Sequence, residues 1–387
     1  MKRFLSLLLV VSLFATGCVP GFEKQEEVVQ DPAQQENTEQ AIVPRYKISD
    51  DYYQTILPYK PGETRGQIAP RLNSRVDVEE LETGLMRMAQ EVFPSDSYLY
   101  QEGQYIKRGT ISEWLKRRSG EESLGLNPPI ASGSESEKIE ETEARNEDSP
   151  IYLAHIQEQN FLIRKGEDQV ELGGVAIGIA LNSVHYYNLS DGQGGYPREY
   201  PIPDDKVEAE GKKIANEIIK RVRTMEGLEN VPIIIGLYKQ SPANAVVPGS
   251  FIAKANVPSG NNNIGNWEDV NEEYHLFPNS DTTELYRDDA VRFENFKLDI
   301  DDYFPNHTGV IGKGYYLDGE LQQLSIDVNM EFNGKAELIG FTQYVTGLVV
   351  EHFPNYINLQ VSISSISGEE ALIVRDAGSE KPFVHIY

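Results

Sequence analysis

The stretch GGVAIGIALN, residues 173–182, is apolar over most of its length and predicts a short, buried strand. A helix is predicted after it, from the capping residue Asp204 to about Thr224. The apolar face of this helix consists of Val207, Ile214, Ala215, Ile218 and Val222. A continuous apolar strand at 231–239 (VPIIIGLYK) and another at 250–257 follow. This order of elements predicts the α+β class with mixed or antiparallel sheets.

The C-terminal third of the chain repeats the same order. The segment LSIDVNMEF at 324–332 alternates between apolar and polar residues, as a half-buried strand does. Residues 335–353 have the apolar spacing of a helix, and further strands are predicted at 358–366 and 371–375. The similarity between the two regions indicates an internal repeat.

A helix that ends near a Phe-Pro pair precedes each of these regions, at 76–93 and at about 284–304. We infer two diverged copies of one helix-strand-helix-strand-hairpin unit, which form a first domain at 46–265 and a second at 266–387. The alternative is that short helices and strands align this well by chance.

Two segments within the first copy lack apolar periodicity. Residues 132–149 are acidic and rich in Ser, without aromatic residues, and predict a mobile surface loop inserted into the repeat. Residues 189–203 are rich in Gly and Pro and predict a second loop.

The charge of the chain limits its partners. It has 387 residues, with 35 Lys and Arg against 61 Asp and Glu, which gives a net charge of −26. Nucleic-acid binding is excluded, because neutralising phosphates needs clustered basic residues. Cys18 is the single cysteine, so an intramolecular disulfide and a Cys-based zinc cluster are excluded as well.

The N-terminal segment has the pattern of a lipoprotein signal. Two basic residues precede an apolar run at 4–15, which is too short to span a bilayer. Small residues end this run and Cys18 follows directly, as in a bacterial lipobox. We predict a signal peptide at 1–17, cleaved by a lipoprotein signal peptidase between Gly17 and Cys18. A diacylglyceryl group on Cys18 would anchor the chain to the outer face of the plasma membrane. The alternative is a secreted protein with an incidental cysteine.

The lipidated Cys18 and the residues up to 45 predict a disordered, acidic tether. Residues 19–45 are rich in Gln, Glu and Asn and have no apolar periodicity. A partner-binding helix is the competing interpretation, and the lack of an apolar stripe counts against it.

The sequence offers no specific catalytic or metal motif. The segment at 309–314 resembles a phosphate loop but lacks its spacing, and 299–302 starts like a calcium loop but continues with aromatic residues. His155 and Glu158 lie three positions apart in a strand-like stretch and should face opposite sides. We therefore predict no catalytic residue, no metal and no cofactor. A hydrolase that uses two carboxylates stays possible, because any two of the 61 acids can meet in space.

Essentially the whole chain resembles the CamS family of Gram-positive lipoproteins, the sex-pheromone precursor type. The resemblance rests on ATGC at 15–18, the acidic tether, TILPYKPGETRG at 55–66, GGVAIGIALNSVHYY at 173–187 and the repeated α+β unit. It implies that the tail of the signal peptide is released as a short apolar peptide, which a receptor of recipient cells senses as a conjugation pheromone. The corresponding residues here are Val11, Ser12, Leu13, Phe14, Ala15, Thr16 and Gly17.

Three functional hypotheses follow. In the first, an anchored, non-enzymatic precursor releases the pheromone, and its folded body binds an unknown envelope ligand. In the second, the protein binds an envelope peptide, glycan or protein and has no pheromone role. In the third, it is a wall-active hydrolase. A cleft lined with aromatic residues and without a close carboxylate pair would favour binding, whereas two carboxyl groups about 5–10 Å apart in it would favour hydrolysis.

Overall fold

A computed structural model describes residues 38–44, 49, 52–131, 133, 139–166, 168–190, 195–303, 309–332 and 334–387. The predicted signal peptide, Cys18 and most of the predicted tether lie outside these ranges. Within them the chain is of the α+β class with mixed sheets, as the sequence predicts.

The described ranges contain helices α1 (Arg75–Ala89), α2 (Arg108–Trp114), α3 (Ile139–Asp148), α4 (Asp204–Val222), α5 (Ser280–Leu285), α6 (Arg287–Tyr303) and α7 (Lys335–His352). The strands before α5 are β1 (Thr38–Gln40), β2 (Gln54–Thr55), β3 (Leu99–Glu102), β4 (Leu153–Arg164), β5 (Gln169–Asn182), β6 (Val184–Ser190), β7 (Gly195–Pro201), β8 (Ile233–Gln240), β9 (Ser250–Val257), β10 (Glu268–Asp269) and β11 (Glu272–Phe277). The later strands are β12 (Gly309–Leu317), β13 (Glu320–Asn329), β14 (Asn358–Ser365), β15 (Gly368–Arg375) and β16 (Phe383–Ile386).

The first sheet has the strand order β10-β9-β8-β5-β4-β3-β2, and β1 pairs with β5. Strands β4 and β5 form an antiparallel hairpin, and helix α4 then connects β5 to its parallel neighbour β8. Strand β9 returns antiparallel to β8. The parallel pair needs this helical crossover, because a tight turn can join only antiparallel neighbours.

The second sheet has the order β11-β12-β13-β14-β15-β16 and repeats this connectivity. Strands β12 and β13 are an antiparallel hairpin, α7 crosses to the parallel strand β14, and β15 returns antiparallel. The strand order and directions of the two sheets therefore carry the repetition that the sequence predicts.

Helices cover both faces of the first sheet. The predicted apolar face of α4 is buried against one side of β5 and β8, in one cluster with Leu181 and Leu237. Helix α1 covers the other side, where Gly174 and Gly178 leave room for it. A Cβ at Gly178 would lie 3.0 Å from Leu81 Cδ1, and one at Gly174 only 2.3 Å from Phe93 Cε1.

In the second sheet, α6 and α7 pack together on one face, in one core with β12 to β15. The sequence comparison treats the helices at 76–93 and 284–304 as equivalent members of the repeat, and in the structure they are not equivalent. Helix α1 lies on the face opposite the crossover helix α4, whereas α6 shares a face with the crossover helix α7. The apolar spacing of a helix does not reveal which face of a sheet it will cover.

The two sheets have separate cores. The apolar clusters of the first sheet draw on residues between 41 and 257, and that of the second sheet on residues between 277 and 373. Among the described residues, no buried apolar cluster combines the two sets. The contact between the sheets is polar and contains a cleft.

Three segments differ from the sequence-based expectations. Residues 38–40 of the predicted tether form β1, and Ala41 is buried beside it. Within the predicted loop at 132–149, residues 139–148 form α3, whose Glu, Ala and Arg residues favour a helix although none of them is buried. The predicted loop at 189–203 contains most of the β6–β7 hairpin.

Candidate functional site

The seam cleft, as we call it, lies between α1 and the face of the second sheet that α6 and α7 leave uncovered. Its volume is about 430 Å³. Helix α1 contributes Val76, Glu79, Glu80, Thr83 and Arg87, the second sheet contributes Tyr274, Lys313, Tyr315, Gln323 and Ser325, and Tyr52 and Pro248 complete the lining. Ligand sites favour such concave surfaces, where aromatic rings combine with a few polar groups.

Strand alternation places the side chains of the second sheet in the cleft. Tyr274 and Tyr315 are directly paired on β11 and β12, and their ring centroids lie 5.1 Å apart. On β12 the residues next to Tyr315 point the other way, so that Tyr316 is fully buried in the core. One strand thus supplies both the core and the cleft.

A buried carboxylate fixes the N-terminus of α1, which forms the opposite wall. Asp77 is fully buried, and its Oδ1 accepts hydrogen bonds from Tyr238 Oη at 2.8 Å and from the backbone amides of Ser241 and Gly249 at 3.1 and 2.9 Å. The side chain of Ser74 caps the helix by accepting from the Asp77 amide. The first turn of α1 is therefore tied to the connection between β8 and β9.

Arg87 and Glu80 of the cleft lining take part in an ion bridge between the two halves, and its third member, Glu272, lies outside the lining. Arg87 Nη2 donates to Glu80 on its own helix at 2.8 Å and to Glu272 on β11 at 3.0 Å. Tyr315 donates to the same Glu272 oxygen at 2.7 Å, and the guanidinium carbon of Arg87 lies 4.6 Å from the centre of the Tyr315 ring. Hydrogen bonds and a cation–π contact thus hold Arg87 in one position.

Burial sets the protonation of these groups. It raises the pKa of Glu80, and Arg87 only partly offsets the effect. Burial also raises the pKa of Tyr274 and Tyr315 far above that of exposed tyrosine, so both hydroxyls remain protonated and can donate. For Arg87, burial lowers the pKa, but Glu80 and Glu272 more than reverse this and keep the guanidinium charged.

The two carboxylates that Arg87 bridges, Glu80 and Glu272, do not have the arrangement that glycoside hydrolysis needs. Glu80 and Glu272 bind the same nitrogen of Arg87, so the guanidinium occupies the space between them. A glycosidase holds the scissile bond between its two carboxyl groups. In the same cleft, the side chains of Lys313, Gln323 and Ser325 have no hydrogen bond or ion pair to other residues of the described ranges.

The predicted lipidation and pheromone residues, Cys18 and 11–17, lie outside the described residues. The segment at 299–302 belongs to α6 and the one at 309–314 to β12, so the calcium-loop and phosphate-loop resemblances fall on a helix and a strand. Within the described residues, no group of three or more His, Cys, Asp or Glu side chains is arranged to hold a metal ion.

Sequence reasoning did not single out Arg87, Glu272 or Tyr315. Arg87 and Glu272 are 185 positions apart, and each lies in a segment whose local pattern predicts only a helix or a strand. A charged residue on the polar face of an amphipathic helix is the ordinary pattern, so it gave no signal. In the part of the chain that the structure covers, no helix is both long and apolar enough to cross a bilayer.

The fold and the cleft define a class, namely α+β proteins with two mixed sheets of repeated topology and a polar cleft at their seam. The family described as CamS sex pheromone cAM373 precursor matches residues 59–381. This match covers most of the chain, and the chain therefore belongs to that family.

Two solved structures are similar to this chain. A sex pheromone precursor from Lactobacillus salivarius subsp. salivarius UCC118 is 29% identical, with a TM-score of 0.80 over 90% of this chain and 99% of the other. The C-terminal domain of the sex pheromone staph-cAM373 precursor from Staphylococcus aureus is 30% identical, with a TM-score of 0.70 over 82% and 98%. Among curated proteins, no sequence matches the chain.

Proposed function

We propose that this chain is an extracytoplasmic lipoprotein that releases a short pheromone from its signal peptide and binds an envelope ligand with its folded body, without catalysis. Membership of a pheromone-precursor family supports the first part. The lipobox supports cleavage before Cys18 and anchoring through it at the outer face of the plasma membrane. The seam cleft, which combines Tyr274 and Tyr315 with the fixed guanidinium of Arg87, supports the second part.

The released peptide is residues 11–17, VSLFATG. Mass spectrometry of culture medium should detect it, and the synthetic peptide should increase clumping or plasmid transfer of responsive enterococcal recipients. A scrambled peptide of the same composition is the matched control. Absence of the peptide from the medium, or an equal response to the scrambled peptide, would remove the pheromone role and leave the lipoprotein with its binding function.

Anchoring has a separate test. The variant Cys18→Ala should lose its label with radioactive palmitate and leave the membrane fraction, because no acyl chain can then be attached. Ser6→Ala, in the same leader, should retain both. Membrane retention of the Cys18→Ala protein would contradict the proposed anchor.

The lining of the seam cleft favours a glycan as the envelope ligand. Tyr52 stands at the rim with 61% of its side chain exposed, so its ring is free to stack on a sugar face. Gln323, Ser325 and Lys313 present hydrogen-bonding groups from the opposite wall. Aromatic stacking combined with several hydrogen-bonding groups suits a ligand that carries many hydroxyl groups on an apolar ring.

Titration with the wall disaccharide of N-acetylglucosamine and N-acetylmuramic acid tests this assignment. Tyr52→Ala should weaken binding about tenfold through loss of the stacking contact. Tyr356→Ala is a matched control, because Tyr356 has the same exposure and is not part of the cleft. Equal binding by both variants would contradict the glycan site, and release of new reducing ends from wall material would support a hydrolase.

A further inference from the structure

The sequence motif at 55–66 forms one wall of a second cavity, which shares no lining residue with the seam cleft. We call it the motif pocket. Its lining consists of Gly62, Thr64, Arg65, Gly66 and Ile68, Glu82 of α1, Glu102 of β3 with the adjoining Gly103, and Gln157 of β4. Its volume is about 90 Å³, which corresponds to about three water molecules. The pocket is open to solvent beside Arg65, whose side chain is 62% exposed.

Glu102 is held rigidly at the base of the motif pocket. One carboxylate oxygen accepts the backbone amide of Gly62 at 2.6 Å. The other accepts the hydroxyl of Tyr59 and lies 3.4 Å from Arg65 Nε. Only 13% of the Glu102 side chain is exposed. The motif therefore closes over this carboxylate and fixes its position.

Glu82, on the opposite wall, lacks the hydrogen bonds that hold the carboxylate of Glu102. Its carboxylate has no hydrogen bond to any other residue that the structure describes. Burial raises its pKa, the negative charge of Glu102 raises it further, and Arg65 only partly offsets the two effects. An ionised carboxylate at this position lacks a cation of its own.

Gln159, which adjoins Glu82 and Glu102 but does not itself line the pocket, has a second acceptor without a donor. It is fully buried and is the cross-strand partner of Glu102. Its Nε2 donates to the carbonyl oxygen of Glu82 at 2.8 Å, and its Oε1 has no partner among the described residues. Gln157, two positions away on the same face of β4, brings its free amide to the pocket wall. Glu82 and Gln157 thus bring unpaired acceptor oxygens to the pocket wall, beside the carboxylate of Glu102.

We propose that the motif pocket binds a primary ammonium group, carried by a small molecule or by the end of a longer chain. The three N–H donors of an ammonium match the carboxylates of Glu82 and Glu102 and the amide oxygen of Gln157. The pocket has room for such a head group. Two carboxylates are few for calcium, which takes six to eight oxygen ligands, so an amine fits the site better than a metal.

Ethylammonium chloride is the probe for this site. Titration of the full-length chain, followed by NMR at the amides of Gly62 and Gly103, should give saturable shifts with a dissociation constant on the order of millimolar. Tetramethylammonium carries the same charge without N–H donors and should leave these amides unchanged. Equal shifts with both salts would show that the effect is charge screening and would overturn the proposal. Saturation of the site by calcium chloride alone would also overturn it.

Two variants locate the binding. Glu82→Gln should weaken ethylammonium binding at least tenfold, whereas Glu63→Gln should stay within twofold. Glu63 has the same charge, lies in the same motif, is 58% exposed and does not line the pocket. Unchanged binding by Glu82→Gln would overturn the proposal. If that variant does not fold, as judged by its thermal unfolding, Gln157→Leu takes its place and should weaken binding likewise.

Discussion

Two residues of β4, His155 and Glu158, show opposite ways of burying a polar side chain. Glu158 accepts hydrogen bonds from the backbone amides of Gln104, Tyr105 and Ile106 at 3.0, 3.1 and 2.6 Å. His155 is fully buried, and within the described part of the chain neither ring nitrogen has a hydrogen-bond partner. Burial, with Arg71 nearby, lowers the pKa of His155 to about 4. The folded protein therefore holds this histidine neutral.

The difference between the pKa of His155 in the folded chain and its pKa in the unfolded chain predicts that stability depends on pH. In the unfolded chain His155 titrates near 6.5, so the folded state binds fewer protons below that pH. Its contribution is fully present above pH 6.5 and is lost as the pH falls towards 4. By pH 4.5 the loss should be about 2–3 kcal/mol.

Urea unfolding of the wild type and of His155→Leu between pH 7.5 and 4.5 measures this effect. The stability of the variant relative to the wild type should rise as the pH falls, because the variant lacks the group. His185, whose pKa burial likewise lowers to about 4, is present in both proteins and cancels in the comparison. A constant difference across the range would contradict the prediction.

At the scale of elements, aromatic packing just after the C-terminus of α1 positions this helix against the first sheet. Phe93, just beyond the helix, is fully buried, and its ring stacks on Phe161 with centroids 5.0 Å apart. The absence of a side chain at Gly174 gives this ring its place, since a Cβ there would lie 2.3 Å from it. The same helix carries one wall of the seam cleft and Glu82 of the motif pocket.

Gly174→Ala should therefore destabilise the protein by about 1–3 kcal/mol, because the ring or the helix must shift. The double variant Gly174→Ala, Phe93→Leu should be less destabilised than the sum of the two single variants, since the smaller side chain relieves the clash. Gly166→Ala is the control, because a Cβ there meets only ordinary contacts. Unfolding in urea measures all four, and strictly additive effects would speak against the clash.

Periodicity predicted the elements well and their arrangement less well. The apolar stretch at 173–182 is the greater part of β5, and the predicted face of α4 is buried, because both signals are local. Helix α3 was missed since it buries nothing, and a pattern search detects burial. The hairpin β6–β7 was missed because its Gly and Pro residues predict a loop.

For the molecule as a whole, the contact between the halves depends on few charged groups. The side chains of Glu80 and Glu272 are 9% and 7% exposed, and Arg87 is their shared cation. No sequence pattern links these residues, because the strand order of both sheets must be known before α1 and β11 are seen to meet. For this reason the seam cleft could not be predicted from the sequence.

Arg87→Met should cost about 3 kcal/mol of stability, because it leaves two nearly buried carboxylates without a cation. Adding Glu80→Gln and Glu272→Gln should recover most of this loss by removing the unpaired charges. Arg75→Met is a matched control on the same helix, where the arginine is 91% exposed and its pair with Glu79 contributes little. Chemical denaturation measures each variant, and an equal effect of the two Arg variants would contradict the role of the bridge.

The separation of the two cores has a practical consequence for dissecting the gene. The backbone passes from the first sheet to the second through only Val270 and Asn271, between β10 and β11. Cleavage of the chain at this dipeptide would separate the two hydrophobic cores without exposing either of them to solvent. Co-expressed fragments that end and begin there should reassemble through the polar contact alone, and their salt sensitivity would then report how strongly the halves hold each other.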